Sequence, residues 1–196
     1  MGYTPSENFP ELIETMKRAA AAFAAADVHA LLGGGLAAWA RGGPPTDHDV
    51  DFFVRERDAE QALDALVEAG MRPERPPEGW LLKAWDGETL VDLIFHPAGG
   101  PVTDEHFERA EALEVAAQPL LVASIDDVLT TKVLAISEQA PDFRQVLEMS
   151  RSLREQIDWE VVAARVGETP FGAAFLTLVE RLRIAPQATL EATARA

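Results

Sequence analysis

Residues Ala30 to Val54 read "ALLGGGLAAWARGGPPTDHDVDFFV". A short apolar run ends in glycines, a small helical-looking segment follows, and a Pro-Pro turn leads to aspartates at alternate positions. Along a strand, side chains at i and i+2 share a face. Asp49 and Asp51 therefore project together from "HDVDFFV", while Val50 and Phe52 point the other way and pack inward. Two carboxylates held that close repel unless a cation sits between them or one takes up a proton. Hard divalent cations such as Mg²⁺ prefer oxygen ligands of this kind. A lone aspartate at a strand end is ordinarily a solvated turn residue, so the pair by itself leaves a purely structural reading open.

A further aspartate changes the balance. Asp92 sits in "TLVDLIFH", mid-strand among apolar neighbours, where an unpaired charge is costly. The D-x-D-x-D spacing of Asp47, Asp49 and Asp51 does not make an EF-hand, because no glycine follows at the sixth loop position and "FFV" is strand material. A glycosyltransferase D-x-D is a further reading, but the chain is short for that fold. Asp47 and His48 read as rim residues.

The glycine run adds the other half of a site. A strand-to-helix turn built of glycines lets backbone N–H groups approach phosphate oxygens, and the helix N-terminus adds a favourable dipole. "GGG" is neither a P-loop nor a G-x-G-x-x-G turn. Together with the carboxylates it describes a site for a metal-bound triphosphate.

Outward from this stretch the chain is α+β. A helix starts near Ser6, Asn8 and Pro10 and runs to about Asp27; "VHALL" reads as a strand and "LAAWAR" as a short helix. "DAEQALDALVEAG" has helical spacing and a glycine stop. "WLLKAWDGETLVDLIFH" reads as a hairpin turned by Asp86-Gly87. These predict a sheet of roughly four to five strands. After Pro97 come a helix around "DEHFERAEA", short extended pieces in "LEVAAQPLLVAS", and then helices. Ser124 with Asp127 resembles a capping box that opens "IDDVLTTKVLAISEQ". "DFRQVLEMSRSLRE", "DWEVVAARV" and "PFGAAFLTLVERLRI" follow, and the last ten or so residues carry little periodicity. The expected organisation is a catalytic core over residues 1–100 and a helical domain over 101–196.

Composition narrows the function. In 196 residues a net charge of −16 excludes a generally cationic nucleic-acid surface, so an RNA partner needs a local basic patch. Arg144, Arg151 and Arg154, spaced to share a helix face, are the candidate; a solvated, salt-bridged face is the plainer reading of them. With no cysteine there is no disulfide, thiolate metal site or cysteine nucleophile. No apolar run reaches the roughly 18–20 residues of a membrane helix. The Ala19–Ala26 run reads as a helix and not a signal peptide, which makes a cytoplasmic location the expectation.

The combination resembles the polymerase-β-type nucleotidyltransferase superfamily, whose signature is hydrophobic-G-[GS], a short gap, then D-h-[DE]-h. Gly34-Gly35 precede "DVDF", "GGLA" matches the frequent G-G-x-A, and Asp92 stands for the carboxylate of a neighbouring strand. Within the superfamily the sequence looks like the AbiEii/MenT-like group of toxin–antitoxin and phage-defence systems. "DDVLTTKVLAI" offers Lys132 for that group's lysine, and "APDFRQVL" offers Asp142 for its following aspartate.

The resemblance implies a small mixed nucleotidyltransferase sheet flanked by helices, followed by an all-helical C-terminal half. It implies transfer of a nucleotide from an NTP to an acceptor hydroxyl, with Asp49, Asp51 and Asp92 holding Mg²⁺ or Mn²⁺. Gly34, Gly35, Thr46, Lys132 and Asp142 would bind the nucleotide, with Lys132 neutralising the departing pyrophosphate. A tRNA 3′ end is the acceptor that this group implies, along with a cognate antitoxin. A small-molecule, antibiotic-like hydroxyl and a catalytically inactive nucleotide-binding relative are the alternatives. The chain departs from the pattern before the first aspartate, with Pro45 in place of an arginine and Asp47 in place of Ser or Thr. Thr46 or Arg41 is the candidate to compensate.

Overall fold

The first predicted helix forms over Phe9–Ala25 (α1) and buries Leu12, Met16, Ala19 and Phe23, a stripe at helical spacing. It ends where Asp27 takes a left-handed conformation (φ 54°) and the Val28 N–H returns to the Phe23 carbonyl. The structure, a computed structural model, describes residues 8–46 and 49–186. Ser6 of the expected helix start, the rim residues Asp47 and His48, and the stretch beyond Pro186 lie outside the described residues.

The chain next forms a two-residue strand, Leu31–Leu32 (β1), shorter than "VHALL" because the turn at Asp27 consumes its start. Helix Gly34–Ala40 (α2) begins inside the glycine run, and strand Val50–Phe53 (β2) follows. A 3₁₀ turn at Glu56–Asp58 leads to helix Ala59–Glu68 (α3) and a short strand Arg72–Glu74 (β3). Strands Leu81–Asp86 (β4) and Thr89–Ile94 (β5) make the expected hairpin, with Asp86 opposite Thr89 and Gly87 at φ 62°.

Helix Asp104–Glu108 (α4) precedes a second hairpin, Glu111–Val115 (β6) and Gln118–Val122 (β7). The helical C-terminal part then runs through Ile125–Leu134 (α5), Arg144–Leu153 (α6), Trp159–Val166 (α7) and Pro170–Arg181 (α8). Ser124 caps α5 as predicted, its hydroxyl accepting the Asp127 N–H at 3.1 Å. The reciprocal half of the capping box is not made, because the Asp127 carboxylate turns to Arg109 and Arg165 instead.

The seven strands among the described residues form one mixed sheet, ordered β3-β4-β5-β2-β1-β7-β6. The first half supplies five of them, β1 to β5, within the four to five expected there, and the addition is the second hairpin, whose strand β7 pairs in parallel with β1. The predicted α+β class holds, with the helical part beginning at Ile125 after the sheet has taken in residues 111–122. The central strand β2 is buried on both faces. Phe52 meets Phe23 of α1 edge-on at 5.0 Å, so Asp51, one residue away, faces the side of α2, as alternation requires. Helices α1 and α3 cover the β4–β5 side, and α5 is the hub on which α2, α6, α7 and α8 pack. No helix among the described residues is long and apolar enough to cross a membrane.

Candidate metal and nucleotide site

Strands β2 and β5 run parallel with Asp51 directly beside Asp92. Asp49, just before β2, lies two residues from Asp51 and on the same face. The register thus brings together carboxylates that the chain holds far apart, and a ligand oxygen from each of the three lies within 4.8 Å of the others. Asp51 and Asp92 are buried and Asp49 is half-buried.

Gly34 makes room for this cluster. It sits at φ 52°, and a Cβ there would stand 1.6 Å from Asp51 Oδ2. No other residue fits, on backbone conformation or on space. Gly33 adds a backbone tether, its N–H donating to the Asp51 carbonyl at 2.8 Å.

The electrostatics follow from burial. Desolvation, then the nearby Asp49 charge, push the Asp51 carboxyl up to about 7, against the pull of Lys132 and Lys83. Burial also raises the Asp92 carboxyl, opposed by its hydrogen bond from Lys83. The three carboxylates present only hard oxygen donors and are under-neutralised, a donor set that fits a divalent cation such as Mg²⁺ or Mn²⁺.

Lys83 is the site residue that sequence reading missed. Its Nζ lies 2.8 Å from Asp92 Oδ1 on the neighbouring strand β4. The signal was present: the Asp86-Gly87 turn fixes the hairpin register, and counting along both strands from it pairs Lys83 with Asp92.

The cluster lines a cleft of about 780 Å³. Gly34 and the aspartates form its base, Thr131, Lys132 and Gln145 one wall, and Trp80, Ile94 and His96 the other. The loop Pro97–Gly100 runs from that second wall to α5, where a Cβ at Gly99 would meet Leu134 at 2.9 Å. Lys132 donates to Gln145 Oε1 at 3.2 Å, which ties α5 to α6 at the cleft.

Of the residues expected at the site, the structure therefore brings together Gly34, Asp49, Asp51, Asp92 and Lys132. Gly35 and Thr46 do not line the cleft; Thr46 is buried so closely against Gly35 that a Cβ there would meet it at 2.7 Å. Asp142 is exposed at the start of α6, where Oδ1 accepts the Arg144 N–H at 2.8 Å. Arg41 does not compensate for the missing arginine. Its buried guanidinium is committed to the Ala123 and Val122 carbonyls and to Glu111, locking the end of α2 to the β6–β7 hairpin. Of the four tryptophans only Trp80 lines the cleft. Arg144, Arg151 and Arg154 are exposed and line none of it, and two of them pair locally with Glu148 and Glu155.

No protein-family model matches the sequence, and no curated protein sequence matches it. Solved structures do. The antibiotic-resistance factor ANT(2'')-Ia in solution superposes with a TM-score of 0.62 at 14% identity, covering 89% of this chain and 96% of that one. The same factor in complex with adenylyl-2''-tobramycin gives 0.60 at 18% identity, over 85% of this chain and 97% of that one. The lincosamide antibiotic adenylyltransferase LnuA, lincomycin-bound, gives 0.52 at 12% identity, over 79% and 100%. The fold is that of these nucleotidyltransferases, with a helical C-terminal part.

Proposed function

We propose that the chain is a metal-dependent nucleotidyltransferase that moves a nucleotide from an NTP to an acceptor hydroxyl and releases pyrophosphate. The observation that carries this reading is the carboxylate cluster on β2 and β5, set against the glycine-led start of α2. Mg²⁺ or Mn²⁺ held by Asp49, Asp51 and Asp92 would neutralise the triphosphate and lower the pKa of the acceptor hydroxyl.

The chain's own residues supply the rest. The backbone at Gly34, opening α2, receives phosphate oxygens. Lys132 reaches the cleft from the helical part and offsets negative charge as the pyrophosphate leaves. Asp92 helps take the hydroxyl proton, and Lys83 fixes one of its oxygens. In domain terms residues 1–100 carry the carboxylates, and residues 101–196 close over the nucleotide through α5.

For the acceptor, the AbiEii/MenT-like resemblance favours a tRNA 3′ end, a toxin role and a cytoplasmic location with a cognate antitoxin. A second reading is a small-molecule hydroxyl. It is favoured by the cleft lining, where Lys132 is the one lysine or arginine among the described residues, a poor match to a polyanionic acceptor.

The test offers each labelled NTP with Mg²⁺ or Mn²⁺ to separated RNA, protein and small-molecule fractions of a bacterial extract. Asp49→Asn and Asp51→Asn serve as controls. Label is expected in a single fraction and only with the unmutated chain. Full activity in both variants overturns the site, and absence of transfer with every nucleotide points to the inactive relative.

A further inference from the structure

Behind the Pro97–Gly100 loop lies a second pocket of about 300 Å³, with that loop and Thr131 as the partition from the main cleft. The proposed chemistry leaves it unused. Arg109, Arg165, His106, Asp127, Thr130 and the solvent-facing Glu105 contribute to its polar lining, from α4, α5, α7 and the segment after α4.

Its hydrogen-bond donors exceed its acceptors. Asp127, 3% exposed, accepts from Arg109 Nε and Nη2 at 3.2 and 3.0 Å and from Arg165 Nη1 at 2.7 Å. One buried carboxylate thus serves two guanidiniums. The further carboxylate in reach is Glu105, 3.5 Å from Arg109 Nη1 and largely in solvent, where its charge is screened. Among the described residues, Asp127 is the sole hydrogen-bond partner of Arg165, leaving its Nε and Nη2 donors unspent.

The remaining polar groups point the same way. His106 Nδ1 accepts the Thr103 N–H at 3.1 Å, so the neutral ring carries its proton on Nε2, and burial holds it in that neutral form. The hydroxyl of Thr130, 6% exposed, has no hydrogen-bond partner. Buried polar groups are ordinarily satisfied, so an unspent hydroxyl in a pocket wall beside unspent guanidinium donors calls for an acceptor-rich occupant.

We propose that this pocket is a binding site for a small oxyanion, a phosphate or carboxylate group held by Arg165, Arg109, His106 and Thr130. The proposal stands independently of the main cleft's chemistry.

Inorganic phosphate is the probe, read by thermal unfolding of the full chain without metal or nucleotide, against sodium chloride at matched ionic strength. A saturable rise in Tm is expected with the unmutated chain and with Lys132→Gln, whose substitution lies in the other cleft. Arg165→Gln is expected to weaken the effect about tenfold or more, the loss of a charge-assisted hydrogen bond. Should circular dichroism show that variant unfolded, Thr130→Val decides. It removes an unpartnered hydroxyl without disturbing the fold, and a severalfold weaker response is expected. Acetate in parallel distinguishes a carboxylate ligand from a phosphate one, and saturable binding of either supports the site. No saturable response to both anions overturns the proposal. So does a phosphate response lost in Lys132→Gln and retained in Arg165→Gln, or one unchanged in both Arg165→Gln and Thr130→Val.

Discussion

Asp51 and Gly34 are a single device. The carboxylate occupies the space that a Cβ at residue 34 would take, and the backbone there is left-handed. Gly34→Ala is expected to displace Asp51 and weaken Mn²⁺ binding about tenfold or more while the sheet still forms, checked by calorimetric titration and circular dichroism. Unchanged Mn²⁺ affinity would sink this account of the glycine.

The Asp51 charge also makes the fold sensitive to pH. Its carboxyl titrates near 3.8 in an unfolded chain and near 7 in the folded one. Between those values the folded state keeps a proton that the unfolded state has lost. The contribution is therefore fully present below about 3.8 and is lost as pH rises through about 7. Asp92 is raised in the same direction. In EDTA the Tm is expected to be lower at pH 8 than at pH 5, and Asp51→Asn should shrink that difference by at least a few degrees. Mg²⁺ at pH 8 should restore stability to the unmutated chain and not to the variant. An Asp51→Asn pH profile parallel to that of the unmutated chain contradicts the assignment.

Residue by residue, the sequence disclosed those side chains whose environment follows from local periodicity. Asp49, Asp51 and Asp92 stood out because alternation put charge where apolar residues belonged. Lys83 escaped because its partner lies across a hairpin. Thr46 and Asp142 rest on the resemblance alone, and their positions depend on how a loop folds back.

At the scale of elements, the β6–β7 hairpin is the instructive miss. Its two-residue turn is Ala116-Ala117, both at positive φ (50° and 64°), a conformation that asparagine and glycine adopt at far lower cost. Without a glycine or asparagine the turn carries no signal, and the sequence predicts only extended pieces there. The first hairpin, turned by Asp86-Gly87, was legible for the opposite reason. Replacing Ala116-Ala117 with Asn-Gly is expected to stabilise the protein by about 1 kcal/mol, a Tm gain of about 2–4 °C in calorimetry. A loss of stability would mean that the turn is constrained by its surroundings and not by its own backbone.

Across the whole molecule, fold class and the succession from sheet to helices were readable, because apolar periodicity switches along the chain. The strand order was not. Nothing local says that β2 lies beside β5, or that β7 crosses to pair with β1. Such pairings are decided by which apolar faces remain uncovered once the hairpins have formed.

The parallel register of Asp51 with Asp92 has a kinetic side. Parallel neighbours are joined through an intervening helix and hairpin, and long-range closures of this sort are intrinsically slow. A cation that needs all three carboxylates has nothing to grip until that closure is made. With that closure made after the rate-limiting barrier, the cation would deepen only the native well. Mn²⁺ is expected to slow unfolding in proportion to the stability it adds while leaving the refolding rate unchanged, as stopped-flow measurements in denaturant with and without EDTA can show. Faster refolding in Mn²⁺ would place the β2–β5 pairing inside the folding nucleus instead. On the expected outcome, the bound ion acts as a latch on the finished sheet and sets how long an assembled molecule persists.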